Sequence, residues 1–310
     1  MTPLSRIASP PEVRARLAAS LLLAAACLFW AGNFVVGRAA AGGIPPAGLA
    51  LWRWVVAGLV LAPFTARTLW AERAGLAQAA RILLALGLLG VCGFTTLTYV
   101  ALNKTEAINA ALANSLIPLA ILAAASVLDR ERPRPAQMSS LALSLAGVAV
   151  VVARGDPAAL AGLAVNAGDL LLLVAVVAWA LYTVLLRRVP GELGARLGPL
   201  GLSAATIVFG LPPLWLCRLG ELAFGGGPMP SDAASLGVVA YTGLFPSLAS
   251  YLCWNRGVAL IGPAASGPFL HLMPLFSAAL AVPLLGEAVR PFHALGLVLI
   301  LAGVAVAGRR

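Results

Sequence analysis

The chain has 310 residues, 61% of them apolar and only 10% charged, with a mean hydropathy of +0.97 and a net charge of +10. That leaves too little charge to cover a soluble domain, and the basic residues are not gathered on a face that would suit nucleic acid. They lie in short loops between apolar runs of about 20 residues, the length that crosses a bilayer as a helix, so composition points to a polytopic helical membrane protein.

Taken in order, hydropathy and the Pro, Gly and charge breaks predict a tail over residues 1–16 and ten spans. The spans fall at about 17–36, 47–66, 81–102, 107–128, 137–153, 168–186, 197–217, 235–254, 260–285 and 292–307. The first run follows Arg14 and Arg16 as a signal peptide's would, but it continues to Val36 and reads as a retained helix. The longest connector, about 218–234, is rich in Gly and Pro and too small to hold a core. Cys27, Cys92, Cys217 and Cys253 fall in four different spans without CxxC spacing. They read as small buried hydrophobes, and no metal or other cofactor is expected.

Orientation follows from the loops. Fifteen Lys and Arg residues fall in the two tails and the connectors 2–3, 4–5, 6–7 and 8–9, against five on the other side and Arg53 inside the second span. Positive charge is retained in the cytoplasm, which predicts both termini there.

The chain also repeats itself. Tyr99, Asn103-Lys104, Pro118, Glu131 and Ala146-Gly147-Val148-Ala149-Val150 are answered in the same order by Tyr251, Asn255-Arg256, Pro274, Glu287 and Ala302-Gly303-Val304-Ala305-Val306. Trp30, Asn33 and Arg38 are echoed by Trp179, Tyr182 and Arg187. Conserved order with small insertions reads as a tandem duplication, with one five-helix repeat over 17–153 and a second over 168–307. An odd number of crossings per repeat makes the second repeat enter from the opposite side. The expected fold is therefore an all-α membrane protein of ten transmembrane helices in two inverted repeats, with a solute cavity between the halves.

These anchors resemble the drug/metabolite transporter superfamily, in particular its ten-helix, two-repeat EamA-type members. Arg53 early in the second span, Pro118 and Pro274 in the fourth and ninth, and the acids Glu131 and Glu287 carry the likeness, which covers nearly the whole chain. Arg130-Glu131 against Gly286-Glu287, and the lack of an Arg53 counterpart in the seventh span, depart from it. The resemblance implies a bacterial inner-membrane carrier that exports a small organic solute. The aromatic content is similar to that of the YddG-type exporters of aromatic and other neutral amino acids. Another metabolite or a drug is the alternative solute.

Polar and aromatic side chains inside spans are the candidate solute contacts, since lipid offers them no partner. Ser247, Ser250, Tyr251 and Trp254 share one face of the eighth span at i, i+3, i+4 and i+7; Thr95, Thr98 and Tyr99 form the matching face of the third. Trp30 and Asn33 in the first span and Trp179 and Tyr182 in the sixth complete the set. Tyr99, Tyr251 and Trp254 lie near span ends, where an interfacial aromatic belt is the other reading, and Ser or Thr commonly bonds its own helix. His271, between Pro268 and Pro274 in a ninth span that should be bent or broken, is a candidate for solute or proton, or a packing residue. Arg53, flanked by Trp52 and Trp54, reads as a structural residue reaching the membrane surface, although a solute carboxylate could use it. Asn109 and Asn114 flank the start of the fourth span and could bond solute or a neighbouring helix.

All acids lie in tails, loops or span ends and there is no Walker-type loop, so ATP hydrolysis is excluded. An intramembrane lipid-modifying enzyme would have to work with two His and no mid-span carboxylate, and a packing scaffold would need no wet cavity.

Overall fold

The computed structural model describes residues 10–39, 43–105, 113–130, 132–153, 155–156, 158, 166–285 and 291–307; Asn109, Glu131 and Glu287 lie outside them. Among the described residues the regular structure is helical throughout. The helices are α1 Pro10–Ala39, α2 Pro46–Ala71, the short α3 Arg73–Gln78, α4 Ala80–Leu102, α5 Ile117–Leu128 and α6 Pro135–Val152. They continue with α7 Ala167–Leu185, α8 Gly191–Ala223, α9 Ala233–Ile261, α10 Pro263–Ser266, α11 Leu272–Leu285 and α12 Pro291–Ala307. Seven of these are long and apolar enough to cross a membrane, with shorter apolar stretches at Ala113–Leu128 and Ala294–Val306.

Local chemistry sets the ends. Proline opens α2, α6, α10 and α12, where its missing N–H is one the helix would leave unpaired anyway. Asn166 caps α7 by accepting from the Gly168 and Asp169 amides at 2.7 and 3.2 Å, while Asp169 returns a bond to the Asn166 amide. Asp232 caps α9 through the Ser235 amide.

Several boundaries differ from the sequence expectation: α1 already begins at Pro10, inside the expected tail, α2 runs on to Ala71 and α8 to Ala223, and three further differences bear on the site. The eighth span runs on to Ile261, stopped by Gly262 (φ 85°) and Pro263, so Arg256 lies in the helix and not in a connector. The seventh begins at Gly191, because a segment before Gly198 (φ 62°) joins the membrane helix across a kink. The ninth is interrupted as its prolines require: α10 gives way to a 3-10 stretch, Gly267–His271, before α11 begins.

Two deviations have no sequence precedent. α4 widens to a π-helix over Gly87–Gly93 and α9 over Gly243–Ala249, at positions 156 residues apart.

The principal helix pairs join the first half of the chain to the second: α1 with α9 and α11, α2 with α8 and α9, α4 with α7 and α8, α5 with α7, and α6 with α12. Both copies of the Ala-Gly-Val-Ala-Val string lie in the last of these pairs, each packed on the turns that precede the other. A Cβ on Gly147 would lie 2.9 Å from the Gly296 carbonyl, one on Gly303 would lie 2.8 Å from the Ser140 carbonyl, and the Ser140 hydroxyl donates to Gly303 O at 2.7 Å. Small residues let these backbones approach where lipid supplies no hydrophobic drive.

Candidate functional site

Where these pairs converge, α1, α2, α4, α7 and α9 contribute one cluster of rings. Trp179 of α7 lies at its centre, 5.1 Å from Trp30 edge-on, 4.8 Å from Phe94, and 5.2 to 5.8 Å from Tyr182, Tyr251 and Trp254. Tyr251 also stands perpendicular to Trp54 at 4.7 Å. Perpendicular and offset pairs set the positive edge of one ring against the negative face of another, worth about 0.5–1.5 kcal/mol each beyond burial. The rings are thus held in defined orientations and are inaccessible to lipid: Trp54, Trp179, Trp254 and Tyr182 are all fully buried.

Polar tips anchor the cluster. The Trp30 indole donates to Pro246 O at 2.9 Å, the Tyr251 hydroxyl to Gly90 O at 2.6 Å, and the Tyr182 hydroxyl to Asn255 Oδ1 at 2.9 Å. The indole nitrogens of Trp179 and Trp254 are buried without a partner. An unpaired buried donor costs about 1–3 kcal/mol, so these two are groups that water or a solute would satisfy. Trp54, Tyr182, Ser203, Thr206, Ser247, Tyr251 and Asn255, with Val91, Ile207 and Leu248, border a narrow void of about 240 Å³ including its open part. The enclosed part holds about one water molecule, far less than an organic solute needs. The rings nearly fill the space.

Beside the rings lies a polar group. Arg53 of α2 is only 4% exposed; its Nε donates to Ser247 Oγ of α9 at 2.5 Å, and its Nη1 donates to the Tyr99 hydroxyl of α4 and, at 3.4 Å, to Asn33 Oδ1 of α1. Tyr99 in turn donates to Asn33 Oδ1 at 3.0 Å. The guanidinium carbon is 6.0 Å from the Trp54 ring centroid and 5.6 Å from that of Tyr99. The expectation that Arg53 reaches the membrane surface is therefore corrected: three helices surround it with neutral oxygens. Trp52 points outward, 39% exposed against Trp215, whereas Trp54 points in, so two neighbours in sequence have opposite environments.

Of the residues singled out in the sequence, Trp30, Trp179, Tyr182, Tyr251 and Trp254 meet in the ring cluster, and Asn33 and Tyr99 meet at Arg53. The buried positions of Tyr99, Tyr251 and Trp254 replace the belt alternative. His271 stands apart: its Nε2 faces the Ser115 carbonyl at 2.9 Å and its Nδ1 the Ser144 hydroxyl at 2.6 Å. The carbonyl can only accept, so Nε2 carries a proton toward Ser115 O, just before α5. Ser250 bonds the backbone at Ala26 and Phe245. Asn114 is buried with both amide atoms unpartnered. Sequence reasoning missed Trp54, Phe94 and Asn255 as members of the cluster and singled out Arg53 mainly as a structural residue; the only signal for Asn255 was its place in the repeat.

The ends of the bundle are tied. At one, Arg188 bonds Asp129 at 2.8 Å and Arg196 bonds Glu72 at 2.9 Å. At the other, Glu221 at the end of α8 accepts from the Ala47 and Gly48 amides at the start of α2, at 2.9 and 3.0 Å, and from Arg218 at 2.6 Å. There too, the Thr105 hydroxyl donates to Asp169.

Comparison with known proteins gives this arrangement its context. The sequence profile of the EamA-like transporter family matches residues 17–153 and 166–309. The chain belongs to the EamA-like transporter family. It is 28% identical over 290 residues to an uncharacterized transporter, YyaM, of Bacillus subtilis, covering 93% of this chain and 92% of that one. It is 30% identical over 285 residues to a probable terminal-alkyne amino-acid exporter of Streptantibioticus cattleyicolor, covering 91% and 90%. A solved crystal structure superposes with a TM-score of 0.70 at 25% identity, covering 93% of this chain and 96% of its own.

Proposed function

We propose that this transporter exports small organic solutes, chiefly neutral and aromatic amino acids, across the bacterial inner membrane by alternating access at the ring cluster. In this reading ten spans form two inverted repeats, 17–153 and 168–307, with both termini cytoplasmic. Rocking one half against the other opens the cluster to each side in turn. Trp30, Asn33, Tyr99, Trp179, Tyr182, Tyr251 and Trp254 touch the solute; His271 would act from the α5–α6 side, through the break before α11.

The observation that carries the proposal is the ring cluster itself, assembled from both halves of the chain, with a narrow void along its Trp54, Tyr182 and Tyr251 side. The packing pattern supports a two-fold relation between the repeats: exchanging first-half helices for their second-half counterparts maps α1–α9 onto α7–α4 and α5–α7 onto α11–α1, and leaves α2–α8 and α6–α12 as self-paired. The terminal-alkyne exporter supports an amino-acid solute. In this reading the ties at both ends of the bundle close the site to each side.

Entrance counterflow in proteoliposomes tests this. Purified protein preloaded with unlabelled phenylalanine, leucine or threonine should accumulate the labelled form of at least one of them. No exchange across a broad amino-acid panel would reject the substrate class, and exchange of sugars or cationic drugs alone would move the carrier to another solute.

A further inference from the structure

Arg53 is buried to 4% exposure, and among the described residues it has no carboxylate within salt-bridge distance. The contrast with Arg218 is informative. That residue is equally buried, but it is bonded to Glu221 at 2.6 Å and to a backbone carbonyl. Removing an unpaired cation from water is costly, and intramembrane cations pair with an anion or line a functional path. A guanidinium keeps its charge, so the cost cannot be relieved by losing a proton. Ser247, Tyr99 and Asn33 give it dipoles but no counter-charge.

We infer that the missing anion is the carboxylate of the transported solute, which docks on Arg53 with its apolar tail directed among the rings. The inference rests on the reading of the ring cluster as a solute chamber. A planar guanidinium forms two parallel bonds to a carboxylate. The Tyr99 hydroxyl, now accepting from Arg53, would turn to donate to the same carboxylate, and Asn33 has an amide donor beside it. Cationic charge 6.0 Å from the Trp54 ring, with Tyr251 4.7 Å beyond it, matches a molecule with an anionic head and an aromatic or apolar body. No described acid lies in the cluster, so a solute's ammonium meets rings and amides without a charge partner. The site therefore requires the carboxylate and tolerates loss of the amino group.

The test is a competition ladder against labelled phenylalanine in counterflow, with tryptophan-fluorescence titration as a transport-independent readout. The ladder is phenylalanine, 3-phenylpropanoate, phenylalaninamide and phenethylamine. The expected order places 3-phenylpropanoate close to phenylalanine, and the amide and amine about 10- to 100-fold weaker, the loss typical of a charge-assisted hydrogen bond. Arg53→Gln should abolish that preference, and Arg53→Lys should retain part of it. If wild-type protein binds the amide or the amine as well as phenylalanine, the inference falls while the chamber reading stands. Exchange confined to amines overturns it equally. Absence of both quenching and exchange for every aromatic solute would overturn the chamber reading and this inference together. Should Arg53→Gln not fold, the wild-type ladder alone decides.

Discussion

Gly90 and Pro246 occupy the same position in two π-helical turns 156 residues apart, and each presents its carbonyl oxygen to an aromatic donor. Tyr251 donates to Gly90 O at 2.6 Å, and Trp30 donates to Pro246 O at 2.9 Å. A π turn shifts backbone bonding to i→i+5 and marks functional sites in helices. In α9 Pro246 removes an amide from the ladder, and the Ser247 hydroxyl bonds the Thr242 carbonyl at 2.8 Å in its place. In α4 there is no proline, and the turn is packed on the far side by the Tyr182 ring, within 2.5 to 2.9 Å of where a Gly90 Cβ would stand.

Tyr251→Phe should leave Gly90 O buried without that donor, at a cost of about 1–3 kcal/mol. At roughly 2–4 °C per kcal/mol, a drop of several degrees in the melting temperature of detergent-purified protein is expected. An unchanged Tm would show that the carbonyl has another partner and that Tyr251 does not hold the turn.

Gly87 makes a tighter demand. A Cβ there would sit 2.5 Å from the Gly210 backbone nitrogen of α8, and backbone cannot swing aside as a side chain can. Gly87→Ala should separate α4 from α8 and destabilise by about 1–3 kcal/mol. Gly90→Ala meets only the Tyr182 ring, so it should cost less stability but disturb the cluster. Melting curves and counterflow on the same two variants check this crossover; a Gly90 variant that melts lower than the Gly87 one would reverse the assignment.

How much of this was written in the sequence depends on the scale considered. Apolar runs and proline positions dictate the helices, because a lipid environment leaves the backbone no alternative. The Trp and Tyr residues chosen for their depth do meet in one place. Yet Trp52 and Trp54 are indistinguishable by hydropathy, and only the neighbouring helices decide that one faces out and the other in. Arg53 looked like a surface-seeking cation for the same reason. The π turns are equally hidden, since Gly-Leu opens both but nothing in Gly87–Gly93 encodes i→i+5 bonding locally. His271 drew attention through its prolines, and its ring turns out to be bonded to Ser115 and Ser144.

Cys92 in the π turn of α4 and Cys217 in α8 bring their sulfurs to 3.6 Å, although they are 125 residues apart and belong to opposite halves. A disulfide needs about 2.05 Å, a small closure. Copper–phenanthroline should therefore link them and stop counterflow, with dithiothreitol restoring it and Cys217→Ser protein insensitive. Full-rate transport by fully linked protein would mean that α4 and α8 move together during the cycle.

The two ends of the bundle are not tied equally. Arg188 and Arg196 are about half exposed, at 49% and 50%, and pairs of that kind contribute about 0–1 kcal/mol. Glu221 is 16% exposed, pairs with Arg218 at 6%, and also accepts two amides at the start of α2, which no carbonyl of that helix can reach. Losing such a cap costs about 0.5–2 kcal/mol before the buried arginine left behind is considered. Glu221→Ala should thus release the α2–α8 contact, whereas Asp129→Ala should change little. With a single cysteine at Asn33 in a background free of the native cysteines, labelling by a membrane-impermeant maleimide should rise several-fold for Glu221→Ala and stay at the parental rate for Asp129→Ala. Equal labelling of the two would put the stronger tie elsewhere in the bundle.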